Sequence, residues 1–357
     1  MLPTKRIYYP FIDILKAIAI CFVVFYHNFF VVINPDFRML GDYLKYLFYT
    51  VLGIGVPLFF TVNGFLVFQK KCNLKKHILK TFKIIIITGI WGVFSLILLM
   101  ILRNDKFYVI SFFNDLISLK QGYINYLWFM EALVFLYLLY PLLEWIYRKY
   151  FHIFQIILIG VIIYTILIPT GCSISKAIVG DMKDFYIIKI LNSFPGIYFL
   201  FSLSYFMMGG MIYKFSSNIK IKKKKGILLG ILFFLMIIIQ ALFGVLESKN
   251  TGAVFDNVWN GYDSIFIYIG TITIFLIWFR YDKQKKTRFV EKIGINSLGI
   301  YFIHPILIAI ITKIPEIKLV YSNIVINFIF SVFIIVISFG ITMFLKKIPL
   351  LRKLVEL

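Results

Sequence analysis

Two histidines stand where an imidazole is expensive to keep without a use. His27 lies in the outer part of the first long apolar run, and His304 lies inside a late one, immediately before Pro305. An ionisable side chain in hydrocarbon is costly and is a functional candidate by default. Imidazole exchanges a proton near neutral pH, which suits a general base, an oxyanion partner or a transient acyl carrier. Lys16 precedes His27 by eleven residues, which on a helix leaves the two ~20° apart around the axis and ~16 Å apart along it. Asp13 falls ~40° from His27, so all three share one stripe. Ser297, Tyr301 and His304, at spacings of four and three, share one face of another helix. Asn63 and Glu131 complete the polar candidates inside apolar runs.

Most of these residues also have a plainer reading. Asp13 and Lys16 can form an i,i+3 ion pair at the membrane boundary, with the lysine reaching for water. Tyr301 and Ser297 can make a polar contact between helices. Glu131 can pair with a neighbouring helix or face a shallow vestibule. Three cysteines in three separate segments predict no intrachain disulfide, and no metal-ligand spacing is present.

These candidates must be positioned by membrane helices. Of 357 residues, 61% are hydrophobic and 15% charged, against about 25% charged in a soluble domain. Mean hydropathy is +0.92. A span needs ~20 apolar residues. Such runs occur at Phe11–Ile33, Tyr43–Phe68, Ile78–Leu102, Asn125–Tyr147, Phe151–Pro169, Ser193–Phe215, Gly226–Gly244, Tyr262–Arg280, Gly294–Lys313 and Tyr321–Leu345. Pro57 in the second run and Pro305 in the ninth are the expected sites of a break or kink. The fold class expected is all-α: a polytopic helix bundle of about ten spans, in one domain without a separate soluble part.

The net charge of +22 would point to nucleic acid in a soluble chain. Its placement argues otherwise. Lysine and arginine fall in short blocks between the runs, including Lys70–Lys83, Lys214–Lys225, Arg280–Lys292 and Lys346–Lys353. Alternate sides then differ more than twofold in cations, and acids show the reverse bias. By the positive-inside rule both termini are cytoplasmic, the bilayer is the partner, and nucleic acid is not. The first run is also too long for a cleaved leader and lacks a small-residue cleavage site.

Four stretches carry a resemblance. Phe11-Ile12-Asp13-Ile14-Leu15-Lys16 running on to Tyr26-His27 resembles the opening helix of the integral-membrane acyltransferase 3 family, in which a basic residue precedes a histidine by eleven positions. Gly55-Val56-Pro57-Leu58-Phe59-Phe60 with Asn63-Gly64-Phe65 is similar to its second-helix motif. Leu127-Trp128-Phe129 with Leu136-Tyr137-Leu138-Leu139-Tyr140-Pro141 is similar to its fourth helix. Ser297-Leu298-Gly299-Ile300-Tyr301-Phe302-Ile303-His304-Pro305 is similar to its late tyrosine–histidine motif. Three positions depart from the pattern: Lys16 where arginine is common, Asn63 where serine is usual, and Glu131 where tyrosine is frequent.

The resemblance implies a membrane O-acyltransferase with no bound cofactor. It would use acyl-coenzyme A, acetyl-coenzyme A foremost, as a cytoplasmic co-substrate and a cell-envelope carbohydrate as acceptor. Polysaccharide-assembly proteins are further expected partners. His27, His304 and Tyr301 are the expected catalytic residues. Lys16, Asp13, Asn63, Glu131 and Ser297 are expected to bind donor or acceptor. A saccharide transporter of similar topology is the rival, since polar helix faces and broken helices suit transport as well.

Overall fold

The computed structural model describes residues 9–103, 122–179, 199–217, 219, 221–279, 288–314 and 322–357. Fourteen α-helices carry the described chain, and no strand occurs among those residues: α1 Pro10–His27, α2 Leu40–Leu52, α3 Gly55–Val67, α4 Leu74–Arg103, α5 Trp128–Lys149, α6 Phe151–Ile162, α7 Ile168–Val179, α8 Leu200–Phe215, α9 Lys223–Thr251, α10 Ile265–Phe279, α11 Arg288–Ile295, α12 Ser297–Ile311, α13 Ile324–Leu345 and α14 Pro349–Val355. The chain is an all-helical membrane bundle. Seven described segments are long and apolar enough to cross a bilayer, or eight if the bent pair α11–α12 is one span. α10, at 15 residues, is a shorter apolar helix.

Local sequence explains the helix ends that matter. Pro10 begins α1, where its missing N–H costs nothing. Asn323 caps α13 by accepting from the N–H groups of Val325 and Ile326. Gly252 closes α9 in the left-handed conformation at φ 70°, a conformation natural to glycine. Long apolar faces stay uncovered on the outer helices: Phe82, Ile86 and Phe94 on α4, Leu228 and Phe234 on α9, and Phe328 and Ile329 on α13 are all exposed. Exposed apolar belts of this extent face lipid.

Several runs differ from their sequence reading. The second is two helices, broken at Gly53–Ile54 and not at Pro57, which sits within the first turn of α3. There a proline displaces no intrahelical bond. The ninth bends by 80° between Phe289–Ile295 and Ser297–Ile311. The bend falls at Asn296, whose side-chain amide donates to the Lys292 carbonyl at 2.7 Å, while α12 continues through Pro305. In the fifth, a π-helical turn at Ile163–Leu167 joins α6 to α7, which extends to Val179 into the predicted outer loop. The sixth run begins outside the described residues and is seen from Phe199 onward.

The middle of the bundle is closely packed. A Cβ added at Gly64 of α3 would lie 1.9 Å from the Phe206 carbonyl oxygen of α8, and one at Gly209 would lie 2.1 Å from that of Thr61. The two backbones therefore touch because neither residue has a side chain.

Candidate active site

Residues of α1, α2, α3, α5 and α12 line a cavity of about 660 Å³ at one end of the bundle. Its walls are mainly aromatic: Tyr26 from α1, Tyr49 from α2, Trp128 and Phe129 from α5, and Trp259 and Tyr262 from the turn before α10. His27, the last residue of α1, and Tyr301 of α12 also line it. His304 lies behind His27, wholly buried, and the two imidazoles meet edge to face with ring centroids 5.2 Å apart.

The hydrogen bonds fix the state of His304. Its Nδ1 is 3.0 Å from the Ile300 carbonyl oxygen, which can only accept, so Nδ1 carries a proton and, in the neutral ring, Nε2 carries the lone pair. That Nε2 is buried and has no hydrogen-bond partner among the described residues. A buried acceptor left open beside a second imidazole is costly in a purely structural role. Tyr301 is committed differently: its hydroxyl donates to the main-chain carbonyl of Tyr126. The Tyr126 hydroxyl in turn shares a 2.7 Å hydrogen bond with Ser95. The Tyr301 ring, and not its proton, therefore faces the cavity.

His27 is held from behind. Asn28 is fully buried. Its side-chain amide donates to Ser331 at 2.8 Å, and its carbonyl accepts from the Asn327 amide at 2.6 Å. α13 thus pins the end of α1 at the residue after the histidine.

The wall beside His27 is organised by Asp256. One carboxylate oxygen accepts from the Tyr26 hydroxyl at 2.9 Å. The other accepts from Tyr49 at 2.8 Å and from the backbone N–H groups of Val258 and Trp259 at 3.1 and 3.0 Å. A buried relay holds the loop below. Gln240 donates to Asn257 at 2.6 Å, Asn257 to Thr50 at 2.9 Å, and Ser264 to Gln240 at 2.5 Å. Trp259 and Tyr262 then meet Trp128, with ring centroids 5.0 and 5.7 Å away.

The other sequence candidates sit elsewhere. Lys16 and Asp13 form an ion pair at 3.4 Å near the start of α1, with 26% and 7% of their side chains exposed. Asn63 of α3 donates to the Phe59 carbonyl at 2.9 Å and accepts from Tyr137 at 3.4 Å, and Lys80 reaches the same Tyr137 hydroxyl at 3.5 Å. Glu131, in the first turn of α5, and Ser297, the first residue of α12, are half-buried and do not line the cavity. Sequence reasoning missed Asp256, Asn28, Tyr26, Tyr49, Trp128, Trp259 and Tyr262. The stretch Asp256-Asn257-Val258-Trp259-Asn260-Gly261-Tyr262, polar and aromatic together between apolar runs, was the available signal.

Chemically, the site offers one imidazole on the cavity wall, a second behind it with an open nitrogen, and aromatic side chains around the same cavity. Among the described residues no three His, Cys, Asp or Glu side chains converge as metal ligands. The model of one family, described as an acyltransferase domain, matches residues 9–345. No curated protein and no solved structure matches the chain.

Proposed function

The chain belongs to the acyltransferase family whose model it matches over residues 9–345, and we propose that it moves an acyl group, acetyl foremost, from cytoplasmic acyl-coenzyme A to a carbohydrate hydroxyl. The acceptor is extracytoplasmic or lipid-linked. The observation that carries this reading is the His27–His304 pair, 5.2 Å between centroids, at the wall of an aromatic cavity large enough for a sugar ring.

In the proposed reaction the acceptor lies against Trp128, Trp259 and Tyr262, whose apolar faces match the C–H face of a pyranose. His27 takes the proton of the attacking hydroxyl as the new C–O bond forms at the thioester carbonyl. The tetrahedral intermediate collapses with loss of the coenzyme A thiolate, which receives a proton as it departs. His304 keeps the His27 ring in place and offers Nε2 as a second acceptor for the proton. A route in which His27 carries the acyl group itself uses the same geometry. Lys16 lies ~16 Å along α1 from His27 and acts at the donor's entrance, through charge and not through contact with the reacting atoms. The charge pattern accompanies this reading with ten spans, both termini in the cytoplasm, and the cavity opening outward. The product passes to proteins of polysaccharide assembly in the cell envelope.

The test is acyl incorporation from a labelled coenzyme A thioester by the purified protein in a bilayer, with an envelope polysaccharide as acceptor. Label in the carbohydrate is expected. A protein that moves saccharide without acylating it would be a transporter.

A further inference from the structure

At the end of the bundle opposite the histidines, a second cavity of about 430 Å³ is lined by Lys83, Lys346, Lys347, Arg352, Lys353 and Glu356. Five cations thus face one carboxylate around a single concavity. The positive-inside rule asks only that such residues lie on one side of the membrane. It does not ask α4, the end of α13 and α14 to aim them into one space, where like charges repel.

The cavity is also built. Glu356 accepts from Lys346 at 2.8 Å and from Arg352 at 2.7 Å. These bonds hold its carboxyl below the usual carboxylate range and fix two of the cations. α14 is fastened beneath α4 by the Trp91 indole N–H, which donates to the Leu354 carbonyl at 2.9 Å, and by the buried Val355. Lys83, Lys347 and Lys353 have no acidic partner among the described residues. The neighbours of these cations in sequence are lipid-facing: Phe82 is 59% exposed, Phe344 61% and Leu350 73%. The mouth of the cavity therefore lies at the rim of the bundle, beside exposed apolar side chains.

We propose that this pocket binds the phosphate of an anionic phospholipid headgroup from the inner leaflet, seated between Lys83 and Lys353 with its chains along Phe82 and Phe344. A basic pocket between helix ends on the cytoplasmic side suits such a headgroup. Coenzyme A carries phosphate too, and its nucleotide would not need the apolar rim.

Native mass spectrometry of the full-length protein, with phosphatidylglycerol or phosphatidylcholine supplied in equal amounts, tests the site. The wild type is expected to retain phosphatidylglycerol in preference to phosphatidylcholine. The variant K83Q/K353Q should lose that preference by roughly thirtyfold, as expected for two cations at a headgroup. K83R/K353R, which keeps both charges, should retain it. Unchanged retention by K83Q/K353Q would overturn the proposal, and so would equal loss in K83R/K353R, which would mark a packing effect. Coenzyme A is tested in a separate arm. If it binds wild type but not K83Q/K353Q, while phosphatidylglycerol shows no preference, the pocket belongs to the nucleotide and the lipid assignment fails.

Discussion

Asp256 anchors one wall of the cavity, and its two carboxylate oxygens are not equally supplied. One has Tyr26 alone, at 2.9 Å. The other has Tyr49 at 2.8 Å and two backbone N–H groups besides. Removing the Tyr26 hydroxyl strips an anionic oxygen of its hydrogen-bond donor, a cost of about 2 kcal/mol for a bond to a charged group. Removing the Tyr49 hydroxyl leaves its oxygen still bonded twice, at about 1 kcal/mol. Asp256→Asn keeps the shape but exchanges charge-assisted bonds for neutral ones, at about 2 kcal/mol over the two tyrosines. Thermal midpoints in detergent should therefore fall more for Tyr26→Phe than for Tyr49→Phe. Asp256→Asn should resemble Tyr26→Phe. The double variant Tyr26→Phe/Asp256→Asn should fall short of the sum of its singles by about 1 kcal/mol, since both remove the same interaction. In turnover assays Asp256→Asn should raise KM for the acceptor more than for the donor, because the loop it holds carries Trp259 and Tyr262. A midpoint lower for Tyr49→Phe than for Tyr26→Phe, or strict additivity in the double variant, would refute this reasoning.

Further tests use other parts of the molecule. Lys16→Arg should keep activity, whereas Lys16→Met should raise KM for the donor above that for the acceptor; equal loss for both substrates would leave the Asp13 ion pair as its whole role. Gly64→Ala sets a methyl group against the Phe206 backbone and should cost about 3 kcal/mol or abolish folded protein. Gly89→Ala, with nothing within 4 Å of its new Cβ, should be neutral or slightly stabilising in fluorescence-detected size exclusion. In a background without Cys21, Cys72 and Cys172, Val254→Cys should react with an impermeant thiol reagent on intact cells and Lys224→Cys should not. The reverse pattern would invert the topology.

How much of this was legible in the sequence depends on distance along the chain. Each of the ten apolar runs contains helix among the described residues, because a twenty-residue apolar stretch records itself locally. Spacing also put Tyr301 and His304 on one helix face, and resemblance joined them to His27. The Asp256 clamp was not legible. It joins residues 207 and 230 positions apart, and no periodicity encodes a contact between a loop carboxylate and tyrosines on two other helices. The Asn28–Ser331 bond spans 303 positions and was hidden for the same reason. Neither proline marks a break: Pro57 sits in the first turn of α3, and α12 continues through Pro305. The chain instead turns at Gly53–Ile54, both in right-handed helical backbone, and at Asn296, whose side chain bonds to the preceding turn. Lys16 and His27 share a stripe by arithmetic, yet the lysine meets Asp13 near the start of α1 while the histidine ends the helix at the cavity.

The central claim is that His27 takes part in the chemistry of acyl transfer. Its most direct test is the turnover of His27→Gln, which keeps hydrogen-bonding capacity and cannot act as a base. Acyl transfer from labelled thioester to polysaccharide should be measured with the variant purified at near-wild-type abundance and thermal midpoint. The account predicts a loss in turnover of at least about a hundredfold, the low end of a general-base contribution. A His27→Gln enzyme that acylates its acceptor at close to the wild-type rate would contradict it.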